Sequence, residues 1–182
     1  MPYLPSEQTD TPADVDQAWK ALNLVNDWIR DAESKTSVVL ALGGVAGGAL
    51  YNLVKKQTDP TPWVSTLSVT CGPFVFATGV CAALALIPRT NLKSTTEDDA
   101  TNPLFFAHVA TKYAADGVTY GQVFRALTAD PEELTKHIEN QLHANAAVAH
   151  RKFLWVNRAV AALFLALLTL GLLALSIGSG GA

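Results

Sequence analysis

The sequence predicts an all-α membrane protein. It has three transmembrane helices and a cytoplasmic helical module, and two of its long helices run continuously from cytoplasm into membrane. Three observations lead there. The apolar residues are gathered into charge-free runs: 19 residues from Thr36 to Val54, 29 from Pro60 to Pro88, and 24 from Ala159 to the end. A span needs about 20 such residues, at about 1.5 Å each across about 30 Å of hydrocarbon. Mean hydropathy is positive over the whole chain, and the polar remainder is too short to wrap three such helices in water. Finally, neither glycine nor proline interrupts the chain from Ala13 to Leu42 or from Glu132 to Leu170.

The elements follow in order. Residues 1–12 read as a disordered tail, with Thr11 as N-cap and Pro12 at the first helical position of the helix that follows. Val15, Ala18, Trp19, Leu22, Val25 and Ile29 then recur at helical spacing, an amphipathic stretch that leads straight into the first span. The segment 13–88 holds this helix and the first two spans. Within the first span, "GGVAGG" sets Gly43 and Gly47 on one face and Gly44 and Gly48 on the next. Small residues four apart let another helix approach closely, so a helix interface and a homo-oligomer are expected. The second span carries Gly72-Pro73, read either as a hinge or as a static kink, and ends at Pro88-Arg89.

The segment 89–152 reads as a cytoplasmic linker and helical module. Asn102-Pro103 is expected to cap and open a short helix, which Asp116-Gly117 closes. Thr119 opens another. Asp130-Pro131-Glu132-Glu133 starts a helix that runs to about residue 176. Residues 153–182 supply the third span and a short outer tail.

Lysines and arginines set the orientation. Eleven of the thirteen lie in the N-terminal tail or between the second and third spans. Only Lys55 and Lys56 lie between the first two spans, and none lies in the last 24 residues. An N-terminus inside and a C-terminus outside are expected, in a multi-pass protein of a bacterial inner membrane. No signal peptide is visible in residues 1–35, which are polar and acidic, so the first span is expected to direct its own insertion.

Chemistry is sparse. Net charge is −3 and there is no basic stripe with interleaved aromatics, so nucleic acid is not an expected partner. His137, His143 and His150 are six and seven apart on one helix, not the three or four that two ligands of one ion need. Cys71 and Cys81 are ten helical residues apart, beyond disulfide reach. No nucleophile elbow, zinc or phosphate-loop pattern occurs. The reading is a non-enzyme without metal or cofactor.

One ordered set of segments remains. "AESK" (Ala32 to Lys35, so Glu33 and Lys35) precedes the glycine-rich span, and Pro88 closes the second span. "NPLFFAHVA" (Asn102, Pro103, Phe105, Phe106) follows the linker, and Tyr120 lies on a short helix. "QLHANAAVAHRKFLWVNRA", with Arg151 and Lys152, precedes the last span. Over about residues 13–165 this order resembles the membrane effectors of the Pycsar antiphage systems, the PycTM family, with Glu33 standing where an aspartate is usual. The resemblance implies a defence effector functionally linked to a pyrimidine nucleotide cyclase. Cyclic UMP or cyclic CMP made by the cyclase would activate it, and it would then impair the membrane and cause abortive infection. The competing reading is a structural or accessory membrane subunit with no trigger of its own.

Two readings stand for the adjacent phenylalanines. Phe105 and Phe106 either pack the short helix onto its long neighbours, or one of them stacks on a pyrimidine with Tyr120 nearby. In the second case Arg151 or Lys152 would meet the cyclic phosphate. The same two basic residues equally suit lipid headgroups at the bilayer surface.

Overall fold

The computed structural model describes residues 14–87 and 102–179. Five helices account for the regular structure among them: α1 Val15–Lys55, α2 Pro62–Leu86, α3 Phe106–Lys112, α4 Gly117–Ala129 and α5 Pro131–Ser179. α1, α2 and α5 are long and apolar enough to cross a membrane. α1 has 41 residues and α5 has 49, about 60 and 75 Å of helix. The absence of glycine and proline that predicted two long helices is matched by these two continuous elements.

Helix starts follow their local chemistry. The Asp14 carboxylate accepts from Gln17 N (3.1 Å) ahead of α1. Thr11 and Pro12, expected as its start, lie outside the described residues, as do Pro88-Arg89 and the linker up to residue 101. Thr61 caps α2, its hydroxyl accepting from Val64 N, with Pro62 at the first position. α2 continues through Pro73. Asp130 Oδ1 accepts from both Glu132 N (3.0 Å) and Glu133 N (3.2 Å) at the start of α5, as the sequence predicts.

Two starts differ from expectation. Asn102-Pro103 does not open α3, which begins three residues later at Phe106. Asn102 O accepts instead from Phe105 N (3.1 Å), and its side chain accepts from Leu104 N (2.9 Å). That is a β-turn with proline at its second position and an Asx-turn within it. Asp116-Gly117 does not close α3, which stops at Lys112. Asp116 is the N-cap of α4, its carboxylate accepting from Thr119 N (2.9 Å) and from the Thr119 hydroxyl.

The described residues divide into two compact units, 14–26 with 102–146 and 27–87 with 147–179. In the first, Leu22, Leu127, Leu134 and Ile138 form the core, with Val15, Ala18, Leu104 and Leu142 packed on it. A polar rung also joins α1 and α5 there. Gln141 Nε2 donates to Asn145 Oδ1 (3.0 Å), and Asn145 Nδ2 donates to Asn26 Oδ1 (2.8 Å).

In the second unit the buried residues are mostly small. Ala32 and Ala85 pack with Val156, and Ala82 and Ala159 pack with Val39 and Leu163. Thr36 and Thr78 are buried, with their hydroxyls donating back to Ala32 O (2.7 Å) and Phe74 O (2.8 Å) on their own helices. A Cβ at Gly43 would lie 3.1 Å from Thr78 Cγ2, and one at Gly47 would lie 3.2 Å from Val75 Cγ1. These two glycines therefore let α1 and α2 approach within the chain. Gly44 and Gly48 have open space instead. Trp63, Val69, Phe76, Val45, Phe164 and Leu175 face outward, as residues meant for acyl chains do.

Candidate functional site

Asn102 organises the first unit's site because its hydrogen-bonding groups are engaged on several sides. Besides the turn bonds, its Nδ2 donates to the carbonyl of His137 on α5 (3.0 Å). Its backbone N–H donates to His108 Nδ1 (3.1 Å). The buried asparagine thus ties the turn to α3 on one side and to α5 on the other. Pro103 is buried too, and its carbonyl accepts from the Tyr120 hydroxyl (3.2 Å), which brings α4 onto the same turn.

The turn sends three consecutive large side chains in different directions. Leu104 enters the core cluster. Phe105 is half-buried, edge-on to Phe106 (centroids 5.0 Å apart) and to His108 (5.0 Å). Phe106 is 67% exposed. Leu104, rather than either phenylalanine, is the residue of this turn that packs against the core cluster. Tyr120 also neighbours Tyr113 (5.4 Å) and Phe124 (6.1 Å). The result is a partly exposed aromatic pair on a turn held by hydrogen bonds, with a second ring group tied to it through the Tyr120–Pro103 bond. Below it, His137 Nδ1 is buried with no hydrogen-bond partner among the described residues.

The second unit brings the other motif residues together. Glu33 on α1 and Lys152 on α5 form an ion pair at 2.6 Å, with the Lys152 side chain 12% and Glu33 48% exposed. Lys35 pairs with Asp31 on its own helix (2.6 Å), the weak contact the sequence predicts, and its ammonium also lies over the Phe153 ring (5.7 Å). "AESK" and "RK" are therefore joined by one interhelical salt bridge. Arg151 is half-buried and has no carboxylate partner among the described residues. The site residues expected from sequence thus fall into two groups. Asn102, Pro103, Phe105, Phe106 and Tyr120 lie in the first unit, and Glu33, Lys35, Arg151 and Lys152 in the second.

Sequence reasoning passed over His108, Leu104 and the Asn26–Asn145–Gln141 rung. The rung left a signal, since Asn145 lies between Ile138 and Ala149 on an otherwise apolar α5 face, where a polar residue marks a specified helix pairing. The titration of Asp116 is clearly moved. The hydroxyl and amide of Thr119 hold its carboxyl below the usual range.

Residues 17–178 match the PycTM family model, described as the Pycsar effector protein domain. The Pycsar effector protein PtPycTM of Propioniciclava tarda is 33% identical over 163 residues, covering 90% of this chain and 80% of that protein. No solved structure matches. The chain belongs to the PycTM family of Pycsar effectors, the membrane effectors of an antiphage defence system.

Proposed function

We propose that this protein impairs the bacterial inner membrane when it binds cyclic UMP or cyclic CMP made by a partner cyclase, and so causes abortive infection. The observation that carries this reading is the continuity of α1 and α5. Each is one unbroken helix that begins in the unit holding the aromatic turn and continues through a segment able to cross a membrane. A ligand that binds one packing of the first unit better than another shifts the equilibrium between them. A preference of roughly 100-fold, about 2.7 kcal/mol, moves a 1% active population to about half.

In this reading the nucleotide base stacks on the exposed Phe106, beside Phe105, on the turn whose Pro103 carbonyl accepts from the Tyr120 hydroxyl. The Asn102 turn transmits occupancy to α5 through its bond to the His137 carbonyl. Gly72-Pro73 serves as the place where α2 bends. The N-terminus is inside and the C-terminus outside. Copies associate through the Gly44/Gly48 face, since Gly43 and Gly47 are already occupied by α2.

Equilibrium binding of cyclic UMP and cyclic CMP to the purified full-length protein tests the reading. Saturable binding of one nucleotide, weakened about tenfold by Phe106→Ala, is expected, because a base–aromatic stack contributes about 1–3 kcal/mol. Phe106 is mostly solvent-exposed, so its truncation leaves the fold in place. Absence of binding by either nucleotide favours an accessory subunit that depends on another sensor.

A further inference from the structure

We propose that the Arg151–Trp155–Arg158 face of α5 binds the phosphate of an anionic phospholipid. The three residues are spaced i, i+4 and i+7, so they lie on one helix face over about 10 Å. The Arg158 guanidinium lies 4.7 Å from the centroid of the Trp155 ring, three residues back. Its charge is thereby carried away from the charge-free run that begins at Ala159 and toward the polar end of the helix, as a cation at a bilayer surface is expected to do. Tryptophan favours that same headgroup layer.

The charges at this end of the second unit do not balance. On α1, Asp27 pairs with Arg30 (3.3 Å) and Asp31 with Lys35, while Glu33 takes Lys152 from α5. All three acids of that stretch are then engaged. The chain has no aspartate or glutamate after Glu139. Arg151 and Arg158 are left with no carboxylate among the described residues. Two guanidinium forks beside an indole match a phosphodiester in charge and in donor geometry.

The same face tells a lipid from a free phosphate. Continued toward the C-terminus at the same spacing it presents Leu165 and Leu172, both exposed. A molecule with an anionic head and a hydrocarbon tail covers the arginines and these leucines together, whereas a nucleotide or inorganic phosphate covers only the arginines.

The test uses the full-length protein in nanodiscs of phosphatidylcholine with and without phosphatidylglycerol. The readout is lipid retained per chain by native mass spectrometry, with a thermal midpoint as a second measure. Wild type is expected to retain phosphatidylglycerol in preference to phosphatidylcholine. Arg151→Gln with Arg158→Gln should lower that preference roughly tenfold or more, and Arg151→Lys with Arg158→Lys, which keeps charge but loses the fork, should fall between. Equal retention of the two lipids by wild type overturns the proposal, and so does an unchanged preference in the Gln variant. Displacement of phosphatidylglycerol by millimolar inorganic phosphate or cyclic UMP also overturns it, and reassigns the arginines to a soluble anion.

Discussion

α1 and α5 are packed in two different ways along their length. In the first unit they meet through Leu22, Leu134 and Ile138, closed by Leu104 and Leu127 from the shorter elements. In the second they meet α2 and each other through Ala32, Ala82, Ala85 and Ala159, with Gly43 and Gly47 against Thr78 and Val75. The difference follows from the solvent each unit is built for. In water, large side chains stabilise by leaving it, at about 25 cal/mol per Å² of apolar surface. In a bilayer the surroundings are as apolar as leucine, so association depends on close backbone approach, which small residues permit. The exposed faces agree, with large apolar residues turned outward on every helix of the second unit.

The comparison breaks most sharply under opposite substitutions. Ile138→Ala should destabilise the first unit by about 2–5 kcal/mol, because it empties a fully buried site. The matching change in the second unit is an enlargement. Ala159→Leu, also at a fully buried site, should cost about 1–3 kcal/mol by overpacking. Limited proteolysis of the first unit and thermal aggregation in detergent read the two separately. A harmless Ala159→Leu would mean that the second unit is not close-packed.

Next in size is the ion pair. Glu33→Gln leaves Lys152, whose side chain is 12% exposed, without its counter-charge. A buried pair loses several kcal/mol when broken, but Glu33 is half in solvent, so the expected cost is about 1–2 kcal/mol. Exchanging the two residues, Glu33→Lys with Lys152→Glu, should recover most of it in a double-mutant cycle. No recovery would show that the two charges act independently.

The smallest effect belongs to Asp116. Its carboxyl titrates below the ordinary range because Thr119 donates to its charged form. A carboxylate depressed on folding contributes stability above its unfolded pKa and loses it as pH falls through the lowered folded value. The Thr119 amide should therefore exchange faster, relative to its intrinsic rate, once acid protonates Asp116. Asp116→Asn should flatten that pH dependence while leaving the core amides of α5 unchanged.

Much of this architecture was legible in the sequence. The three spans were visible because charge is excluded from them, and the two long helices because neither glycine nor proline occurs from Ala13 to Leu42 or from Glu132 to Leu170. The division of labour among the glycines was not legible. Gly43/Gly47 and Gly44/Gly48 are equivalent by spacing, and only the position of α2 decides which pair is occupied. The Asn102 turn was hidden for a related reason. An asparagine before a proline suits an N-cap and a β-turn alike, and here the His137 carbonyl and His108 Nδ1, 35 and 6 residues away, hold it as a turn. Phe105 and Phe106 looked alike in sequence. The start of α3 at Phe106 turns one toward His108 and the other toward solvent.

The central claim is that a nucleotide bound by the first unit changes what the second unit does to a bilayer. Its most direct test is release of a trapped dye from liposomes carrying the purified full-length protein. Cyclic UMP or cyclic CMP would be added alongside a non-cyclic nucleotide control. The account predicts release with one cyclic pyrimidine nucleotide, none with the control, and a shift to higher ligand concentration in Phe106→Ala. No release at saturating ligand from correctly inserted protein would contradict direct gating.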